Sequence, residues 1–147
     1  MIHRKPNWQT LLHEFLEKRV REPFTWGGND CALFAADAVN VITGTDLGAG
    51  FRGKYSDQAG ALALMKTTCG TEDALALAVY LCAQAKFVPW ASVAYAQRGD
   101  VIVLKNPDGS HSLGIVALDG RHALFVTEDG LRRMKVLSCV AAWKVGA

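Results

Sequence analysis

The stretch FTWGGNDCALFAADAV, Phe24 to Val39, brings a thiol to the point where a helix is expected to begin. Asn29 or Asp30 caps a helix that opens at Cys31, where the unpaired amides and positive end of a first turn stabilise a thiolate. A depressed thiol pKa follows if the sulfur reaches solvent. Gly27 and Gly28 let the preceding turn approach closely, and Trp26 is placed to wall one side of a cleft. The same residues also suit plain packing, since cysteine is a common small core residue. Hydrolysis by a thiol needs more: a base within reach of sulfur and a group that orients the base.

The obvious candidates for the base, His111 and His122, lie in the expected strands of the C-terminal half. If Asp119-Gly120 is a two-residue turn, Leu118 pairs with Arg121, Ala117 with His122, and His111 lies roughly opposite Glu128. Alternation then puts His111, Leu113, Ile115 and Ala117 on one face and Ser112, Gly114, Val116 and Leu118 on the other. His111, His122 and Glu128 share a face, but the two histidines are far apart along it. His13 falls off the apolar stripe of its own helix and reads as a solvated residue.

The elements that must position these groups fall into two halves. Asn7 caps WQTLLHEFLEKRV, whose Trp8, Leu11, Leu12, Phe15, Leu16 and Val20 recur at helical spacing. The second helix runs from about Cys31 to Ile42, stops near Gly44 and, rich in alanine, should be the most buried. Gly44 to Tyr55 reads as a surface loop, Ser56 or Asp57 caps a third helix through Met65, and Thr71 starts a fourth that reaches about Ala85. After Pro89 the period changes to two. Gly99–Leu104, His111–Leu118, Arg121–Thr127 and Leu131–Leu137 read as strands separated by NPDG, DG and EDG, and AAWKV adds another. The class is α+β, helices first and antiparallel sheet second, in a single domain over residues 1–147.

Half of the 147 residues are apolar and the net charge is +2, so neither disorder nor a nucleic-acid surface is indicated. No apolar run suits membrane insertion, and no secretory leader precedes the first helix, which gives synthesis in the cytoplasm. The four cysteines could pair but their contexts argue against it, no pair has metal-site spacing, the histidines do not cluster, and no cofactor is expected.

FTWGGNDCALFAAD, QRGDVIVL and SLGIVALDG resemble, in order and spacing, the Asp-Cys helix, the Gly-Asp strand and the His-bearing hairpin of the NlpC/p60 cell-wall cysteine peptidases. That resemblance covers roughly Phe24 to Val136. It implies a reduced papain-like fold, with Cys31 in the nucleophile's place and Asp30 as its acidic neighbour. It also sets Ser112 in the catalytic histidine position and the third polar position at about Leu124, with His111 one residue early and needing a bulge to reach the cleft. A more specific likeness is to short members from phage and prophage tail-gene regions, which share the closing GL…AW segment, here Gly130-Leu131 to Ala142-Trp143. It implies a tail-tip or baseplate assembly protein of the virion tail with a degenerate site. Its partners would be other tail proteins and peptidoglycan, and the loops around Phe51, Tyr55 and Trp90 would supply contact surface. The alternative is an active peptidoglycan endopeptidase or amidase, with Cys31 as nucleophile and His111 as base.

Overall fold

The computed structural model describes residues Met1–Ala147. Four helices, α1 (Trp8–Arg19), α2 (Cys31–Thr43), α3 (Gln58–Cys69) and α4 (Ala74–Gln84), precede six strands. The strands are β1 (Val88–Pro89), β2 (Val101–Lys105), β3 (His111–Val116), β4 (His122–Thr127), β5 (Gly130–Lys135) and β6 (Ala141–Lys144). They form one sheet in the order β1-β6-β2-β3-β4-β5, every pair antiparallel. The α+β class and the change of period near Pro89 are as the sequence indicates.

The helix boundaries follow from their caps. Asp30 Oδ1 accepts the Leu33 amide at 3.0 Å, and α2 ends where Gly44 turns left-handed at φ 84°. Between these stops Leu33, Phe34, Ala35, Ala36, Ala38, Val39 and Ile42 are buried, so the alanine-rich helix is the central one. Burying Phe34 or Ile42 stabilises the fold by about 1.5–3 kcal/mol each. Helix α3 runs beyond Met65 to Cys69 and stops at Gly70, whose φ of 85° ends the turn. Helix α4 begins later than Thr71 indicates. Thr71, Glu72 and Asp73 lie in a row, and it is Asp73 that turns its carboxylate back onto the Leu75 amide, at 3.2 Å.

Strands β2 to β5 form a meander, and β6 returns to pair with the free side of β2. β2 and β3 pair without interruption from Val101↔Ile115 to Lys105↔His111, with no bulge. The turn at Asp119-Gly120 sets the expected register, with Ile115↔Leu124 paired and the Ala117 amide donating to the His122 carbonyl at 2.8 Å. Val103, Leu113, Ile115, Leu124 and Val126 face α2 in the main core. Ile102, Val116, Ala123, Phe125 and Ala142 face the other way into a second cluster, closed by Val136, Cys139 and Trp90. Gly114 has a packing reason: a Cβ there would lie 2.3 Å from the Leu124 carbonyl oxygen and 2.5 Å from the Phe125 ring.

The loop aromatics are anchored in the fold, Phe51 buried and Tyr55 and Trp90 partly exposed. Phe51 is buried with Leu33 and Leu77, Tyr55 donates to Asp30, and the Trp90 indole donates to Asp100 at 2.8 Å. Each has a polar or apolar partner inside the fold, which alternation and loop composition do not reveal. No helix is long and apolar enough to cross a membrane.

Candidate functional site

Cys31 opens α2 at the floor of a cleft of about 640 Å³ between the α3–α4 rim and one end of the sheet. The loop before it is held rigidly. Asn29 is buried and its amide donates to the Glu22 and Pro23 carbonyls, while its side-chain oxygen accepts from Arg19 at 2.9 Å. Gly27 adopts φ 79°, and a Cβ there would fall 2.1 Å from the Tyr55 carbonyl oxygen, so only glycine lets the two loops meet. Asp30 is 2 % exposed and fully engaged: it accepts from the Leu33 amide, the Gly27 amide at 3.0 Å and the Tyr55 hydroxyl at 2.5 Å. Its role is to build the turn under Cys31, and burial together with the bond to Asp30 pushes the Tyr55 phenol well up.

The thiol is not depressed. Burial pushes Cys31 above the ordinary value of 9.0, and the adjacent Asp30 charge adds to that. Opposing them, the backbone amides of Leu113, Ala32 and Cys31 favour the thiolate. Desolvation outweighs the helix end here. The sign is therefore the reverse of that read from position alone: the thiolate accumulates only as pH climbs past the raised pKa. Alkylation of Cys31 followed against pH, with Cys31→Ser as control, should show a midpoint above 9.0. A midpoint below that of a free thiol would contradict the burial effect.

His111 stands on the same side of the sheet as Cys31. Leu113 and Ile115, of the same parity on β3, pack in the core against α2, so alternation places the imidazole on that face, and His111 and Cys31 line one cleft. No bulge is needed, which corrects the expectation that a displaced histidine requires one. Ser112, in the position aligned with the family's histidine, belongs to the opposite parity and accepts from the Asn106 amide at 3.0 Å. Leu124, at the aligned third position, is 5 % exposed in the main core.

What touches His111 was not singled out by the sequence. Nδ1 lies 2.7 Å from Oδ1 of Asp73, the residue that caps α4, and the imidazole is only 14 % exposed. The place of Asp73 in a Thr-Glu-Asp run at a helix start was the available signal, but nothing local points to a strand residue far along the chain. Trp26 lines the cleft as expected and stacks edge-on with Phe24, their ring centroids 4.9 Å apart. Glu128 lines it too, exposed and without a hydrogen-bond partner. His122 is elsewhere, bound to Asp119 at 2.6 Å beside the β3–β4 turn. Asp119 itself is pulled down to about 2, first by the Arg121 amide and then by His122. All four cysteines are free, and no group of three His, Cys, Asp or Glu side chains is placed to hold a metal.

Fold and site together define an α+β protein with a thiol and an imidazole in one cleft. The chain belongs to the family described as Domain of unknown function (DUF6950), whose pattern matches residues 3–145. Comparison with curated proteins gave no match. Among solved structures it is similar to a wild-type endolysin, LysIME-EF1, with 11 % identity, a TM-score of 0.48, and coverage of 99 % of this chain and 65 % of that one. This chain thus spans less than two thirds of that protein's length, and nothing about the site is carried over from it.

Proposed function

We propose that this chain is a cysteine-dependent hydrolase of peptide amide bonds, built on a reduced papain-like arrangement and acting on peptides of peptidoglycan. One observation carries the reading: Cys31, at the start of α2, and His111, on the face of β3 that packs against α2, line the same cleft. The substrate class rests on the resemblance of the Asp-Cys helix and its strands. In the reaction His111 takes the Cys31 proton as sulfur bonds to the carbonyl carbon. The Cys31 amide, at the start of α2, faces the developing oxyanion. Collapse breaks the C–N bond, and the amine leaves with the proton from His111. Water, deprotonated by the same imidazole, then cleaves the thioester and restores the thiol. Purified protein should cut defined peptidoglycan fragments, with new amine and carboxyl ends visible by mass spectrometry, and Cys31→Ala should cut none. Intact fragments after prolonged incubation with the unaltered protein would count against the proposal.

A second reading is favoured by the raised thiol pKa. A neutral thiol suits packing, and a protein built into a phage tail tip or baseplate beside other tail proteins needs only the fold. Its setting is the virion tail after synthesis in the host cytoplasm. Co-sedimentation with assembled tails, unaffected by Cys31→Ala, is the expected result for that role, whereas recovery only in the unassembled fraction argues against it.

A further inference from the structure

We propose that Asp73 is the positioning residue for His111, so that the base is oriented by the N-cap of a helix rather than by a neighbouring strand; this rests on the hydrolase reading above. A single oxygen serves two partners. Oδ1 of Asp73 accepts the Leu75 amide at 3.2 Å, which fixes the carboxylate at the start of α4, and the same oxygen lies 2.7 Å from Nδ1 of His111. A helix cap is among the more rigid anchors available to a carboxylate, because its torsions are set by the helix it starts. Holding Nδ1 as the protonated nitrogen leaves Nε2 as the acceptor, the tautomer a general base requires.

The alternatives are accounted for. Glu128 extends from β4 opposite the start of β3 but is exposed and bonded to nothing. Glu72, beside Asp73 on the rim, is likewise exposed and unpaired. Leu124 is apolar and buried. Asp73 is thus the one acid in contact with the imidazole, and its own side chain remains 42 % exposed, so substrate filling the cleft would cover the contact and strengthen it. The Asp73 carboxylate thus stands directly behind the ring that would receive the Cys31 proton.

Substitution can separate the two roles of this side chain. Serine caps a helix about as well as aspartate, but its hydroxyl is too short to reach His111; asparagine keeps an oxygen in place and removes only the charge. Asp73→Ser should therefore melt like the unaltered protein, yet lose the downfield Nδ1–H proton signal of His111. Its Cys31 alkylation near neutral pH should slow by roughly tenfold or more. Asp73→Asn should fall between the two. Both readouts work whether or not any substrate is cleaved, so a failed hydrolase assay leaves them decisive. An Asp73→Ser protein that keeps the Nδ1–H signal and the unaltered alkylation profile would overturn the proposal and leave Asp73 as a cap alone.

Discussion

Asp100→Ala is expected to cost about 3–5 kcal/mol, which is enough to unfold a marginal domain. Asp100 is completely buried at the start of β2. Its two oxygens accept from Arg4 Nη2 at 2.7 Å, the Val145 amide at 3.1 Å, the Trp90 indole at 2.8 Å and the Gln97 amide at 2.8 Å. Arg4 also donates to the Val145 and Arg98 carbonyls, so one ion pair joins both ends of the chain to the sheet. Burial pushes the carboxyl up while these four donors pull against it. Removing it leaves three donors without a partner and a guanidinium without its counter-charge, and each loss adds to the cost. Asp100→Asn keeps the shape but not the charge and should fall between. Urea titration of the three proteins, with m held constant, measures the difference. A midpoint for Asp100→Ala close to that of the unaltered protein would mean that solvent replaces the lost partners and that the network is dispensable.

The Gly99-Asp100 pair also shows what the sequence could and could not disclose. Its place at the start of a strand was legible, because turn residues precede the β-branched run from Val101 to Val103. Its four partners were not, since they come from the N-terminal segment, the C-terminus and two loops. The same division holds at the cleft. Local rules placed Cys31 in a first turn and, through the Asp119-Gly120 turn, put His111 on one face with Leu113 and Ile115; that this face meets α2 is seen only in the fold. The family resemblance points instead to Ser112, and alternation, anchored by the core residues Leu113 and Ile115, sets Ser112 and His111 on opposite faces of β3. What local rules missed was tertiary. Whether Thr71 or Asp73 caps α4 is undecided by propensity, and the bond to His111 exists only once α4 packs beside β3. The direction of the Cys31 shift was open for the same reason: a first turn favours the thiolate where water reaches the sulfur, and only the folded protein shows that desolvation outweighs it.

If the cleft hydrolyses amides, His111→Ala should lower the rate by about 10²–10⁴-fold, the usual worth of a positioned general base. Ser112→Ala should change it only slightly, and His122→Ala not at all. The three substitutions separate three accounts of the base. Ser112 stands where alignment expects a histidine, but its hydroxyl is engaged by Asn106 and its parity is that of the outer cluster. His122 shares the inner parity, but it is bound to Asp119 at the far end of the hairpin. Only His111 combines the inner face, a wall of the Cys31 cleft and a carboxylate behind the ring. The burial that raises the Cys31 pKa makes this dependence steeper, because few thiolates form near neutral pH without an adjacent base to take the proton. Rates should be measured under saturating and limiting substrate, since loss of a base lowers kcat and kcat/KM together while loss of a binding contact raises KM. A large fall for Ser112→Ala with little for His111→Ala would reverse the assignment of faces and return the site to the motif-aligned register.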